Sequence, residues 1–224
     1  MNKNKLRLSL IFNIIIVCFV LFSVLSMAFN LNFMTKDNIL SSNGLTMLKY
    51  YTVDSNILMG ICSIIVIIFE LLYLNNKIKD LPKIVYLIKL IGVVGVSLTF
   101  LVVVFFLLPT TKNFALMFSN ANLFMHALTP IVSIISFILF ERNNLLKIKD
   151  SFIGISSMII YCIFYSINVL THANNGIVSN EYDFYGFLFG NVINAVFVIP
   201  IIILFTFGIS TLLIVLNKDF KQNN

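Results

Sequence analysis

Six long apolar runs separated by short polar stretches set the pattern of this chain. They cover residues 8–29, 49–74, 84–108, 122–140, 151–172 and 191–216. About 20 apolar residues in helical form cross about 30 Å of hydrocarbon, so each run has the length of a membrane span. A bilayer core offers no water to an exposed backbone, and helices satisfy their own N–H and C=O groups. The expected fold is therefore all-α, a single polytopic domain of six transmembrane helices over residues 1–224. A signal peptide competes for the first run, because Ser26-Met27-Ala28 has a small-x-small form. That run exceeds the roughly 7–15 residues of a signal h-region, which favours a retained helix.

The polar stretches fix the connections. Residues 30–48 form the first loop, and 75–83 make a short basic one. Pro109 is expected to stop the third helix and Pro130 to kink the fourth, while Pro200 falls inside the sixth. With the N-terminus inside, eleven Lys or Arg residues (Lys3, Lys5, Arg7, Lys77, Lys79, Lys83, Arg142, Lys147, Lys149, Lys218, Lys221) face one side. Only Lys36, Lys49 and Lys112 face the other. That asymmetry predicts cytoplasmic termini. Lys89, about two turns into the third helix, is expected to snorkel to the inner surface.

Composition narrows the class further. The chain is 59% hydrophobic and 11% charged, with a mean hydropathy of +1.01, far from a soluble balance. The net charge of +6 does not imply a nucleic-acid partner, because the basic residues lie in short clusters between apolar runs rather than along one face. Cys18, Cys62 and Cys162 all fall inside apolar runs and read as small core residues, not as a disulfide or zinc framework. His126, His172 and Asp54 match no local ligand spacing, so no metal is expected, and no cofactor.

The candidate chemistry sits where polar residues interrupt the apolar runs. Thr52, Asp54, Ser55 and Asn56 open the second helix, and His126 opens the fourth. On the expected topology both openings lie near the outer surface, with His172 at the outer end of helix five and Asn191 and Asn194 at the start of helix six. Thr52 and Asn56 are four apart and share a face, with Ser55 beside them, whereas Asp54 points roughly 200° away. A first-turn hydroxyl lies at the positive end of the helix dipole beside backbone N–H groups that lack helical partners. A neutral imidazole within reach would complete a nucleophile–base pair for acyl transfer. Plainer roles stand beside this one: a helix cap for Thr52, helix-to-helix hydrogen bonds for Ser55, Asn56 and His126, an interfacial place for His172, and pairing with Lys49 or the headgroups for Asp54. Glu70 and Glu141 lie towards the opposite side and read as interfacial or paired with loop cations.

Lys49-Tyr50-Tyr51-Thr52 followed by Ser55-Asn56, and Met125-His126 followed by Pro130 and a stretch ending Phe140-Glu141, resemble the androgen-induced-gene/FAR-17a-like membrane hydrolase family. Its bacterial six-helix branch has a similar late aromatic segment, here Tyr182-Asp183-Phe184-Tyr185-Gly186-Phe187-Leu188. Bacterial relatives often have Gln where this chain has Asp54. The resemblance implies an intramembrane hydrolase of fatty-acyl esters, like those that cleave fatty acid esters of hydroxy fatty acids, with Thr52 as nucleophile and His126 as base. Ser55, Asn56 or first-turn N–H groups would hold the oxyanion, and the partners would be membrane lipids or acyl esters in a bacterial plasma membrane. The alternative is a non-catalytic small-solute transporter or lipid-binding protein using the same pocket. A structural partner subunit, whose polar residues only fix helix packing, is a third reading.

Overall fold

The computed structural model describes residues 3–35 and 44–218. Lys36 and Lys221, both used in the charge count, lie outside the described residues. Among those described, the chain is helical, with no strand beyond isolated bridges at Asn174–Ile177 and Ile177–Asn191. Six helices are long and apolar enough to cross a membrane: α1 Lys3–Ala28, α2 Tyr51–Leu74, α3 Lys83–Thr111, α4 Asn120–Phe140, α5 Ile148–His172 and α6 Val192–Asn217. The chain is a multi-pass helical bundle.

Helix ends follow local chemistry. Asn30 and Asn76 take left-handed backbone (φ 53° and 55°) just past α1 and α2. The next N–H folds back in each case, Leu31 to Ser26 O at 2.7 Å and Lys77 to Leu72 O at 2.9 Å. Pro109 does not stop α3, which runs on to Thr111 and ends at left-handed Lys112. The turn before that proline, Val103–Leu107, is π-helical, and its wider i→i+5 spacing accommodates a residue without an N–H. Pro130 in α4 likewise follows a π turn, Phe124–Leu128.

The surface is that of a membrane protein. Large apolar side chains point outward, among them Ile14, Phe22 and Leu25 on α1, Ile64 and Ile68 on α2, and Phe164, Ile167 and Leu170 on α5. The buried face of α1 carries Ser9, Asn13, Ser23 and Ser26 beside Leu6, Ile16 and Val20. Polar side chains turned inward and apolar ones outward suit hydrocarbon, where an unpaired polar group is expensive. Helix α3 is central: 56% of its most apolar window is buried, against 28–39% for the other five helices. Gly95 lets α2 approach it, since a Cβ there would stand 3.2 Å from both Ser55 Cβ and Tyr51 Oη.

One end of the bundle gathers the starts of α1, α3 and α5 and the ends of α2, α4 and α6. Lys83 and Asp150 pair there at 2.6 Å, and Asn217 Nδ2 donates to the carbonyls of Phe137 (2.6 Å) and Glu141 (3.0 Å). Lys89 does not snorkel to the surface at this end; it is fully buried and pairs with Glu141 at 3.3 Å. Glu141 thus takes its cation from a helix interior and not from a loop. The opposite end holds the polar openings of α2 and α4.

Candidate functional site

The second position of α2 is Thr52. The N-cap is Tyr50 in extended backbone with no side-chain cap bond, so Thr52 does not cap the helix. Its side chain instead lines a cavity of about 340 Å³ bounded by α2, α3, α5, α6 and the loop before α6. That volume falls in the range of small-molecule pockets. Leu98, Val102, Phe106, Met158, Ile199 and Ile202 form apolar walls, while Tyr51, Thr52, Thr99, Tyr161, Tyr165 and Tyr185 bring hydroxyls.

Tyr185 reaches this place from the loop between α5 and α6. Buried Asp183 braces that loop by accepting from the Tyr165 hydroxyl and from the Leu188 N–H at 3.0 Å. The Tyr185 Oη accepts the Tyr51 N–H at 2.8 Å, satisfying one of the donors that the start of a helix leaves free. Burial pushes the Tyr185 phenol up to about 12, so it is neutral at physiological pH. The Tyr185 hydroxyl also lies within hydrogen-bond reach of the Tyr161 hydroxyl, which donates to the Lys49 carbonyl at 2.7 Å.

His126 is buried in the π turn of α4. Pro130, four residues on, lacks the N–H that would otherwise bond the His126 carbonyl, which favours the wider turn there. The ring Nδ1 stands 2.8 Å from the carbonyl oxygen of Met117. A carbonyl only accepts, so Nδ1 carries the hydrogen and Nε2 of the neutral ring keeps its lone pair, the tautomer a base requires. The cavity walls include Thr52 but not His126, and no hydrogen bond joins the two side chains.

Asn56 links their backbones. Its Nδ2 donates to Thr52 O at 2.7 Å and to Met125 O at 3.1 Å, which holds those two carbonyl oxygens within about 6 Å of each other. Hydrogen-bonding capacity is left over on these helices: Asn56 Oδ1 on α2, Ser97 Oγ on α3 and Asn122 Oδ1 and Thr129 Oγ1 on α4 are buried without a protein partner. Asn122, His126 and Thr129 are all buried on α4, so its inward side carries both the imidazole and unfilled polar atoms. A buried polar atom with no partner costs about 1–3 kcal/mol.

The other sequence candidates land elsewhere. The Ser55 hydroxyl bonds Thr52 O at 3.2 Å and Thr99 Oγ1 at 3.1 Å, joining α2 to α3. Asp54 is half-buried on α2 and makes no ion pair with Lys49, whose ammonium lies over the Tyr50 and Phe184 rings at 5.1 and 5.5 Å. Exposed His172 bonds Asn168 O at 2.8 Å and stacks on Tyr182 with ring centroids 3.8 Å apart. Asn191 accepts the Ile193 N–H at 3.0 Å, and Asn194 donates to Leu188 O at 2.8 Å. None of these three hydrogen-bonds Thr52 or His126. Among the described residues no group of three or more His, Cys, Asp or Glu side chains is placed to hold a metal ion.

Two parts of the arrangement were out of reach of sequence reasoning. The Met117 carbonyl that fixes the His126 tautomer is a backbone atom with no side-chain signature. Tyr185 stood in a recognised aromatic segment, but its partner Tyr51 is 134 residues away. No protein-family model matches the chain, and no curated protein or solved structure matches it.

Proposed function

We propose that this chain is an intramembrane hydrolase of fatty-acyl esters, related to the androgen-induced-gene-like family that its Thr52 and His126 segments resemble. The observation that carries the reading is a first-turn hydroxyl, Thr52, opening onto a 340 Å³ cavity with apolar walls, while Asn56 ties its backbone to the segment bearing His126. The cavity takes the acyl chain and the tyrosine-lined part takes the ester.

In the first step Thr52 Oγ bonds to the ester carbonyl carbon as its proton passes to His126 Nε2. Collapse of the tetrahedral intermediate breaks the bond to the alcohol oxygen, which takes that proton as it leaves. Water then attacks the acyl-threonine with His126 again as base, the bond to Thr52 Oγ breaks as that oxygen takes the proton back from His126, and the fatty acid departs. The step requires Nε2 to close on the Thr52 hydroxyl. For the oxyanion the chain offers Tyr185, because Ser55 is committed to α3, the Asn56 amide to two carbonyls and the Tyr51 N–H to Tyr185 itself. The positive-inside count supports an orientation with both termini cytoplasmic, and the resemblance to the family's bacterial branch supports a bacterial plasma membrane. No cofactor enters this scheme.

The alternative, a non-catalytic transporter or lipid-binding protein, is favoured by one observation: His126 stands outside the cavity walls. A fluorescent fluorophosphonate distinguishes the readings in detergent. Covalent labelling of wild type, lost in both Thr52→Ala and His126→Ala with folding intact, is the expected result. An unlabelled, well-folded wild type rejects the hydrolase.

A further inference from the structure

The end of the bundle that carries the termini holds a second polar centre, separate from the Thr52 cavity. Glu70 on α2, Lys89 on α3 and Glu141 at the end of α4 are 1%, 0% and 3% exposed. They surround a void of about 10 Å³, closed by Leu81, Val85 and Tyr86, with room for about one water.

The two carboxyls are served unequally. Glu141 Oε1 accepts from Ser136 Oγ (2.6 Å), Asn13 Nδ2 (3.0 Å), Ser9 Oγ (3.3 Å) and the Lys89 ammonium (3.3 Å). Lys89 also donates to Asn13 Oδ1 at 2.5 Å and Ser63 Oγ at 3.4 Å. This convergence of donors, one of them cationic, makes Glu141 the carboxyl partnered by the Lys89 ammonium. Glu70 has no such set, and its Oε2 is buried without a partner, as is Glu141 Oε2. The ionisable groups facing Glu70 are Lys89 and Tyr86 from α3 and Glu141 from α4; α1 presents only Ser9 and Asn13.

Charge decides the state of such a cluster. One ammonium balances one carboxylate, and Glu141 already has it. A second carboxylate would sit beside a like charge with no counter-ion, in a place where an uncompensated charge is neutralised rather than kept. We propose that Glu70, Lys89 and Glu141 form a proton-binding site in the membrane interior, in which one proton resides on Glu70 as a neutral carboxylic acid. The acid O–H donates into the small void, towards water or the free Glu141 oxygen, and so completes a network shared by α1, α2, α3 and α4. The site does not depend on the hydrolase reading.

Infrared spectroscopy of the full chain in lipid nanodiscs tests this directly. Wild type at neutral pH shows the C=O stretch of a protonated carboxylic acid, and uniform ¹³C-glutamate labelling shifts it, which separates it from any aspartic acid. Glu70→Gln, nearly isosteric, removes the band. Glu141→Gln also removes it, because Glu70 then ionises to pair with Lys89. Absence of a glutamic-acid band in labelled wild type overturns the proposal, and that arm needs no variant to fold. A band that survives Glu70→Gln overturns it too. So does stabilisation of wild type by sodium over potassium that Glu70→Gln abolishes, since the occupant would then be a metal cation.

Discussion

The two ends of this bundle handle buried polarity in opposite ways. At the end with the termini, donors from three helices converge on one oxygen of Glu141, and Lys89 joins that oxygen to Asn13 and Ser63. Elsewhere, Asn56 spends its amide on two backbone carbonyls while its own oxygen and those of Ser97, Asn122 and Thr129 have no protein partner. The first arrangement contributes to holding the helices in one register, although Glu70 Oε2, Glu141 Oε2 and Ser210 Oγ have no protein partner there. The second carries spare hydrogen-bonding capacity next to a wide apolar cavity, which is what a site that receives something else needs. Polar residues inside a membrane are expensive wherever they sit. Both ends keep unpartnered atoms; what separates them is the 340 Å³ apolar cavity at the second against a void of about 10 Å³ at the first.

The sharpest way to break this contrast is at Lys89. Lys89→Met leaves the buried Glu141 carboxylate without its cation, a change that costs about 3–5 kcal/mol when one partner of a buried pair is removed. Reversible unfolding in mixed micelles reads the loss, and an unchanged unfolding curve would show that the pair does not hold the bundle. Asn56→Leu comes next. It removes both links between Thr52 and Met125 and leaves two buried carbonyls short of a donor, for about 1–3 kcal/mol. It also abolishes fluorophosphonate labelling, because Asn56 makes the hydrogen bonds that join the nucleophile's backbone to the base's segment. Labelling that survives at wild-type rate would mean that the two segments are aligned without Asn56.

How far the sequence anticipated these two ends differs for physical reasons. The number and approximate limits of the helices were legible because length and hydropathy are local properties, and the left-handed Asn30 and Asn76 stand where the apolar runs give out. Pro109 misled because a proline's effect depends on whether the turn before it can widen to π geometry, as Val103–Leu107 does. Lys89 misled because snorkelling is the default only for a lysine without partners, and its nearest one, Asn13, lies 76 residues away. At the opposite end Thr52, Asn56 and His126 were readable as polar interruptions of apolar runs. Which hydroxyl or amide remains free was not, since that depends on Thr99, Met125, Met117 and Tyr185, each placed by tertiary packing.

A smaller effect on stability, with a larger one on turnover, is expected at Tyr185. Tyr185→Phe keeps the ring among Tyr50, Tyr161 and Phe184 and removes the oxygen that accepts the Tyr51 N–H and faces the Tyr161 hydroxyl. Losing one such bond costs about 1 kcal/mol of stability. If the phenol holds the oxyanion, hydrolysis of an activated acyl ester falls by about 100-fold or more while labelling of Thr52 persists at a reduced rate. Equal, slight losses in both readouts would return Tyr185 to the role of a plug at the mouth of the cavity.

The smallest change is the most discriminating between glue and chemistry. Ser55 stands one helical turn from Thr52 and was as plausible an oxyanion donor on sequence grounds, yet its hydroxyl is already shared between Thr52 O and Thr99 Oγ1. Interhelical hydrogen bonds of this kind inside membranes average about 0.6 kcal/mol, because an unfolded chain in lipid also finds partners. Ser55→Ala is therefore expected to lower stability by about that amount and to leave labelling and ester turnover at wild-type levels. A turnover loss as large as that of Tyr185→Phe, with stability unchanged, would move the oxyanion from the loop before α6 to the α2–α3 interface. The cavity would then have to be read with its reactive end one turn deeper.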